Sequence, residues 1–514
     1  MISGVCRIKR MRKTTALFLS ALLSAAASQF SGTAIADTNR VSVDDAVRIA
    51  LERNLGLQVE TFNPAIAATD LDRARAIYDP RLAALFDHRG ENRQAGPDSP
   101  FVDRNRFFEA NASLDQLLST GATASVAFNN FWTSSWSRDN LGLSTSRFAE
   151  PVLTLSLSQP LLQGLGKEVT ERGITTADDA MELSFASWNQ KALDTAADAR
   201  NQFLALVKAR ESLATRKASL AVARRVHEEN EARVKAGVLA AFELHDSEFG
   251  VLQREKELLD AELAERDAAD QLRFTMNLPP ETILEIPATP WKDVPDPSEA
   301  EALGIALRRR PDLSIARISL RTAEFNERIS LNLALPSLAL EGSAGVTGVG
   351  SDYGNAIDDM RTGKYPIWSV GLRFSYPLGN TAARADVAAA GLKARQARAS
   401  VAVLEESAGL EIREALRALE TRRKQNEVAV KGVTVAETRL DSFLKRGKLG
   451  LATTKDVLDA ERNLTEAREN LSGARTDFQS ALTSLWKSTG ELLDRHGMRL
   501  GGTPVASRAM KETP

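Results

Sequence analysis

The 514-residue chain has one cysteine, Cys6, which lies ahead of an apolar N-terminal run and not behind it. It is therefore not placed for lipidation, and the rest of the sequence can hold neither a disulfide framework nor a cysteine-bound metal. Histidine is almost as scarce: His88, His227, His245 and His496 are scattered, with no pair at ligand spacing on one face. No metal is expected. Proline is missing from 161–278 and from 378–503. An interior proline costs a helix ~3 kcal/mol, so these are the two stretches in which long helices can run. Beyond residue 36 nothing approaches 18 consecutive apolar residues, which excludes helical membrane spans. No nucleophile–base set stands out, and Gly164-Leu-Gly166-Lys167 lacks the spacing of a phosphate loop. Neither an enzyme activity nor a cofactor is expected.

What is present begins with an export signal. Arg7, Lys9, Arg10, Arg12 and Lys13 form a basic region, 16–27 is apolar, and Ala34-Ile-Ala36 is a small-residue cleavage site, so 1–36 reads as a signal peptide. Met11 is an alternative start within it. The apolar part falls short of the ~20 residues of a membrane anchor. Cleavage removes five of the 66 basic residues and none of the 68 acidic ones, leaving seven acids in excess. That balance gives no support to nucleic-acid binding, which wants a concentrated basic face.

The mature sequence is duplicated. Ala46, Ala50, Leu51 and Leu57 return 256 residues later as Ala302, Ala306, Leu307 and Leu313, and the same offset carries Pro80 and Leu82 onto Pro336 and Leu338. Leu153, Leu155, Leu157 and Pro160 match Val370, Leu372, Phe374 and Pro377; Arg233-Val-Lys-Ala-Gly237 matches Arg446-Gly-Lys-Leu-Gly450. A repeat of about half a chain is a duplicated domain and not a solenoid. The units are drawn at 37–290 and 291–495, followed by a flexible tail at 496–514.

Each unit reads helix, strand, strand, long helical hairpin, which makes a mainly α protein with a small β part. The strands are expected at about 82–160 and 338–376, the hairpins at about 166–277 and 381–492. Each hairpin limb is expected to run ~65 residues, on the order of 100 Å. Val457, Ala460, Leu464, Ala467, Leu471, Ala474 and Phe478 alternate in steps of three and four, as in a coiled coil. Leu153, Leu155 and Leu157 alternate with Thr154, Ser156 and Ser158; Trp368, Val370, Leu372 and Phe374 alternate with Ser369, Gly371 and Arg373. One apolar and one polar face suits a barrel strand between lipid and water, and equally a half-buried sheet. Between the paired prolines the first unit carries a surplus of 39 residues, read as an enlarged external loop with its own hairpin at 107–131. Two strands per unit make four per chain. An open sheet edge cannot exist in hydrocarbon, so four lipid-facing strands must pair with copies of the chain.

These residues carry a resemblance. Ser158-Gln-Pro-Leu161, Phe374-Ser-Tyr-Pro-Leu378, the segment from Gly450 to Ala460 and the opening helix from Val43 to Leu51 resemble those of TolC-type outer-membrane efflux proteins, over 41–495. The resemblance implies a homotrimer with a 12-stranded barrel in outer-membrane lipid, continued by a periplasmic α-helical barrel. It implies an exit duct for efflux or type I secretion, partnered by a periplasmic adaptor and an inner-membrane RND, ABC or MFS transporter. It also implies a periplasmic gate at Asp456 and Asp459, with Glu243 and Asp246 at the equivalent repeat positions. Acids just after Thr453-Thr454 equally suit a helix N-terminus. Arg233, Gly237, Arg446 and Gly450 mark the hairpin tips, where the glycines end helices and where the resemblance places adaptor docking. The reading of another class is a soluble periplasmic or secreted coiled-coil scaffold or adhesin.

Overall fold

The computed structural model describes residues 40–94, 102–139, 142–287, 297–449 and 451–498. The expected signal peptide lies outside them. In chain order, α1 (Val43–Arg53) and α2 (Leu55–Arg75) lead into strands β1 (Arg81–Gln94), β2 (Val102–Leu117), β3 (Thr123–Asp139) and β4 (Gly142–Pro160). A short turn of helix, α3 (Lys167–Thr170), precedes the hairpin α4 (Arg172–Lys235) and α5 (Phe242–Met276). The second unit repeats the plan with α6 (Glu299–Arg309), α7 (Pro311–Leu333), β5 (Ser337–Thr347), α8 (Tyr353–Arg361), β6 (Tyr365–Ser375), α9 (Thr381–Lys448) and α10 (Thr454–Thr489). It closes with α11 (Leu492–Arg495).

The duplication extends to the caps. Ser42 and Asp45 form a reciprocal capping box on α1, and Ser298 and Glu301 form the same box on α6. Ala46, Ala50 and Leu57 are buried in one unit and Ala302, Ala306 and Leu313 in the other. The seam residues Val457, Ala460, Leu464 and Phe478 are buried as well.

The helices make four columns. Two are single rods, α4 of 64 residues and α9 of 68, each on the order of 100 Å long. The other two are spliced end to end. Asn54 ahead of α2 donates its side-chain amide to the Thr275 carbonyl at the end of α5, 2.9 Å away. Arg310 ahead of α7 donates to the Ser488 carbonyl at the end of α10 at 3.3 Å. The return limbs are thus 35 and 36 residues long, not ~65. Asn277 in the left-handed conformation, followed by Pro279-Pro280, stops α5, and the left-handed Gly490 stops α10. The core sits at the first splice, where Val41, Ala46 and Ala50 pack on Phe203, Leu206, Leu272 and Met276. His496 and Met498, assigned to the tail from sequence, fold back here; Met498 packs on the cluster of Val47, Leu193 and Leu492.

The strands form one antiparallel sheet in the order β1-β2-β3-β4-β5-β6. Among the described residues it has six strands, where the sequence reading expected four. The surplus is not an external loop. Its hairpin runs the full length of β2 and β3, and the turn at Ser119-Thr120-Gly121 comes down level with the bottom of β1 and β4. The turn needs Gly121 at φ 89°, where a Cβ would lie 2.6 Å from the Gly164 carbonyl.

Candidate functional site

Two regions hold the residues singled out from sequence: the sheet, and the far tips of the hairpins. In the sheet, residues facing each other across successive strands share a side. The register links Leu82, Leu114, Val126, Leu155, Ala344 and Trp368 into one row. The next row on the same side is Ala84, Ala112, Phe128, Leu153, Val346 and Pro366. Leu157 pairs with Gly342, which faces Val370; Leu340 faces Leu372, and Leu338 faces Phe374. The seven expected lipid-facing residues, Leu153, Leu155, Leu157, Trp368, Val370, Leu372 and Phe374, therefore lie on one side, and all are exposed in the isolated chain. Sequence reasoning missed their extension onto Leu82 and Phe86 in β1, and onto Ala110, Ala112, Leu114, Val126 and Phe128 in the added hairpin. The signal was there as period-two alternation, but alanine on the apolar side weakens it.

The other side is polar. Arg81, Asp115, Ser125, Ser156, Ser343 and Ser369 form the row between the two apolar ones. Ser125 donates to Asp115 at 2.5 Å, and the Ser343 and Ser369 hydroxyls lie 2.8 Å apart. Across neighbouring strands Arg373 pairs with Glu341 at 2.6 Å and Arg89 with Glu109 at 3.2 Å. Leu114, Val126, Leu155 and Ala344 are exposed while Asp115, Ser125, Ser156 and Ser343 are half-buried, as in a sheet that curls around its polar side.

At the opposite end the two hairpin tips meet around a cleft of about 870 Å³, lined in part by Arg233, Glu243, Gly447, Lys448 and Asp456. Arg233 donates to the Gly447 carbonyl at 3.1 Å, so the first tip holds the second. Gly237, at φ 71°, closes α4: Val238 N–H donates to the Arg233 carbonyl and Gly237 N–H to that of Val234, a Schellman cap. The second tip makes the same long bond, Leu451 N–H to the Arg446 carbonyl at 2.9 Å, and the Arg446 side chain is exposed. Gly450 lies outside the described residues.

Of the four expected gate acids, Asp456 and Glu243 line this cleft, while Asp246 is exposed one turn along α5. Asp456 forms a capping box. Its carboxylate accepts from the Thr453 N–H at 2.9 Å and the Thr453 hydroxyl at 2.8 Å, and its own N–H donates back at 3.2 Å. These bonds, the backbone one foremost, hold the carboxyl below its usual range. Asp459 pairs with Arg462 at 3.1 Å. The helix-terminus role raised from the sequence is therefore filled at Asp456, and its carboxylate stays charged and open to solvent.

Among the described residues no cluster of His, Cys, Asp or Glu is placed to hold a metal, and no helix is long and apolar enough to cross a membrane. Residues 302–491 match the family model described as outer membrane efflux protein. No curated protein matches the chain. The whole fold is similar to solved outer-membrane channels. The CmeC channel of Campylobacter jejuni aligns with TM-score 0.64 and 17% identity, covering 93% of this chain and 89% of that one. VceC of Vibrio cholerae aligns with TM-score 0.63 and 17% identity, covering 87% and 96%. The open state of MtrE of Neisseria gonorrhoeae aligns with TM-score 0.60 and 19% identity, covering 88% and 89%. The resemblance read from the sequence, to TolC-type outer-membrane efflux proteins, is borne out by these matches.

Proposed function

Starting from a chain that has the outer-membrane channel fold and carries an efflux-protein match in its second unit, we propose that it is the outer-membrane exit duct of an efflux or type I secretion assembly. The observation that carries this reading is the sheet: an apolar side spans every described strand, and among the described residues β1 and β6 each leave an edge unpaired. In hydrocarbon an unpaired edge leaves backbone N–H and C=O groups with no partner, so β6 of one copy pairs with β1 of the next until a ring closes. Three copies close it, with the four helical columns of each copy forming a hollow sheath in the periplasm. Residues 1–36 direct export, and 37–290 and 291–495 are the two halves of the wall.

Cargo passes by diffusion, without chemistry. The hairpin tips around Arg233, Gly237, Arg446 and Gly450 dock a periplasmic adaptor, which couples the duct to an inner-membrane RND, ABC or MFS transporter. Asp456 and Asp459, with Glu243 and Asp246 behind them, gather carboxylates from each copy at the closed end. Like charges crowded together attract cations, which makes the narrowing cation-selective.

Expression in a Gram-negative host tests the reading. The protein is expected in the outer-membrane fraction, extracted only by detergent, as a complex of three chains that conducts ions in planar bilayers. A monodisperse monomer soluble without detergent would instead support the scaffold.

A further inference from the structure

We propose that all six strands, the β2–β3 hairpin included, lie in the membrane wall, so that three copies close an eighteen-stranded barrel as wide as the helical sheath beneath it. This rests on the duct reading above, and four observations carry it beyond that reading.

The hairpin has a lipid side of its own. On β2 the outward residues are Leu114, Ala112, Ala110 and Phe108, followed by Arg106; on β3 they include Val126, Phe128 and Trp132, followed by Ser134. An apolar stretch that ends in an aromatic and then turns polar is the profile of a strand meeting the membrane interface. Asn130 breaks the β3 series; it is 4% exposed, its backbone N–H donates to the Asn111 side chain at 3.1 Å, and its own side-chain oxygen is buried without a partner among the described residues.

The hairpin is also anchored at the level of the wall. Gly166 N–H, in the linker from β4 to the helices, donates to the Thr120 carbonyl in the hairpin turn at 3.0 Å. Gln116 near the foot of β2 donates to the Tyr78 carbonyl just ahead of β1 at 2.7 Å.

The stagger of the strands is that of a membrane barrel across all six. β1 starts at Arg81, level with Ser369, whereas β6 runs six residues further to Ser375. Six residues of ~3.3 Å over five spacings of ~4.8 Å tilt the strands about 40°. Membrane barrels tilt by ~35–45°.

Finally, the arcs match. At that tilt each strand occupies ~6.3 Å of circumference, so six span ~38 Å and four only ~25 Å. Four helical columns at ~8–10 Å span ~32–40 Å. With six strands per chain the barrel continues the sheath at full width, about 36 Å across the backbone against about 24 Å for twelve strands. The exit then suits bulky hydrophilic cargo facing a lumen of serine and paired charges.

The chain with Cys6→Ser has no thiol, so single cysteines report one position each. Ala112→Cys and Val126→Cys sample the outward side of the hairpin, and Ser113→Cys and Ser125→Cys the inward side; Leu155→Cys and Ser156→Cys on β4 are references. Each carries an environment-sensitive fluorophore in proteoliposomes and is quenched by brominated acyl chains or by aqueous iodide. The expected pattern is lipid quenching at 112, 126 and 155 and water quenching at 113, 125 and 156. Lipid quenching at 155 with water quenching at 112 and 126 overturns the six-strand wall and leaves the duct standing. Water quenching at 155 overturns the duct itself. Native mass spectrometry of the detergent complex is expected to count three chains, and any other number overturns eighteen strands.

Discussion

Arg254 of α5 and Glu461 of α10 are 207 positions apart in sequence and 3.1 Å apart in space, each almost fully buried between the two hairpins. Glu461 is further held by the Thr465 hydroxyl at 2.8 Å. Two charges taken out of water stay together because separating them leaves one buried and unpaired. Glu461→Ala is expected to destabilise the hairpin pair by about 3–5 kcal/mol. The double change Arg254→Met with Glu461→Leu is expected to recover most of that loss. Chemical denaturation followed by helical circular dichroism checks both, and a single mutant as stable as the parent would remove the pair from the account.

A second long-range contact is sensitive to acid. His496 lies between Asp44, 2.5 Å from Nδ1, and the buried Arg200, whose guanidinium is 3.3 Å from Nε2. An arginine can only donate, so Nε2 accepts, Nδ1 carries the proton that goes to Asp44, and the ring is neutral. Burial, with Arg200 nearby, outweighs Asp44 and pushes the His496 pKa below its usual 6.5. The unfolded chain therefore takes up the proton first as pH falls. The stabilisation is full above about 6.5 and is lost as pH drops through the lowered folded value. Thermal midpoints are expected to fall from pH 7 to pH 5 and to flatten in His496→Gln. An equally steep profile in that variant would assign the loss to other groups.

The proposed lipid side has its own signature. Leu155→Arg and Phe374→Arg are expected to cost about 2–4 kcal/mol of barrel stability near the membrane centre, and less towards its edges. Ser156→Arg, on the opposite side, is expected to be tolerated. Refolding yield into lipid vesicles measures the contrast, and equal effects on the two sides would mean that neither faces hydrocarbon.

Much of this was legible in the residues. Proline placement located both hairpins, and Gly237 located the end of α4, because backbone constraints act locally. The splice of α2 onto α5 was not legible, since it rests on Asn54 reaching a carbonyl 221 positions away. Nor was the strand count. The repeat offset exposes what the halves share, and β2 and β3 have no counterpart in the second half. Their outward side also relies on Ala110 and Ala112, which contribute little to any hydrophobic pattern. Asp456 shows the opposite case, in which one carboxylate satisfies a local cap and still presents its charge to the cleft.

That double use gives a prediction for the proposed gate. Asp456→Asn with Asp459→Asn removes both charges and keeps the acceptor oxygen that the Thr453 cap needs. Conductance in planar bilayers is expected to rise, and block by multivalent cations to weaken, with folding intact. Thr453→Ala is expected to cost about 1 kcal/mol in helix stability without changing cation block. Unchanged conductance and block in the double variant would leave both acids with a structural role alone.

The hairpin between β1 and β4 also obeys a parity rule. In the proposed wall strands alternate up and down, so one extra crossing, or three, would deliver the chain to the outer surface with both helical arms still to be built. Two crossings return it to the side it left, and everything downstream keeps its address. A wall of this kind can be widened only in even steps, and the 39 added residues are one such step.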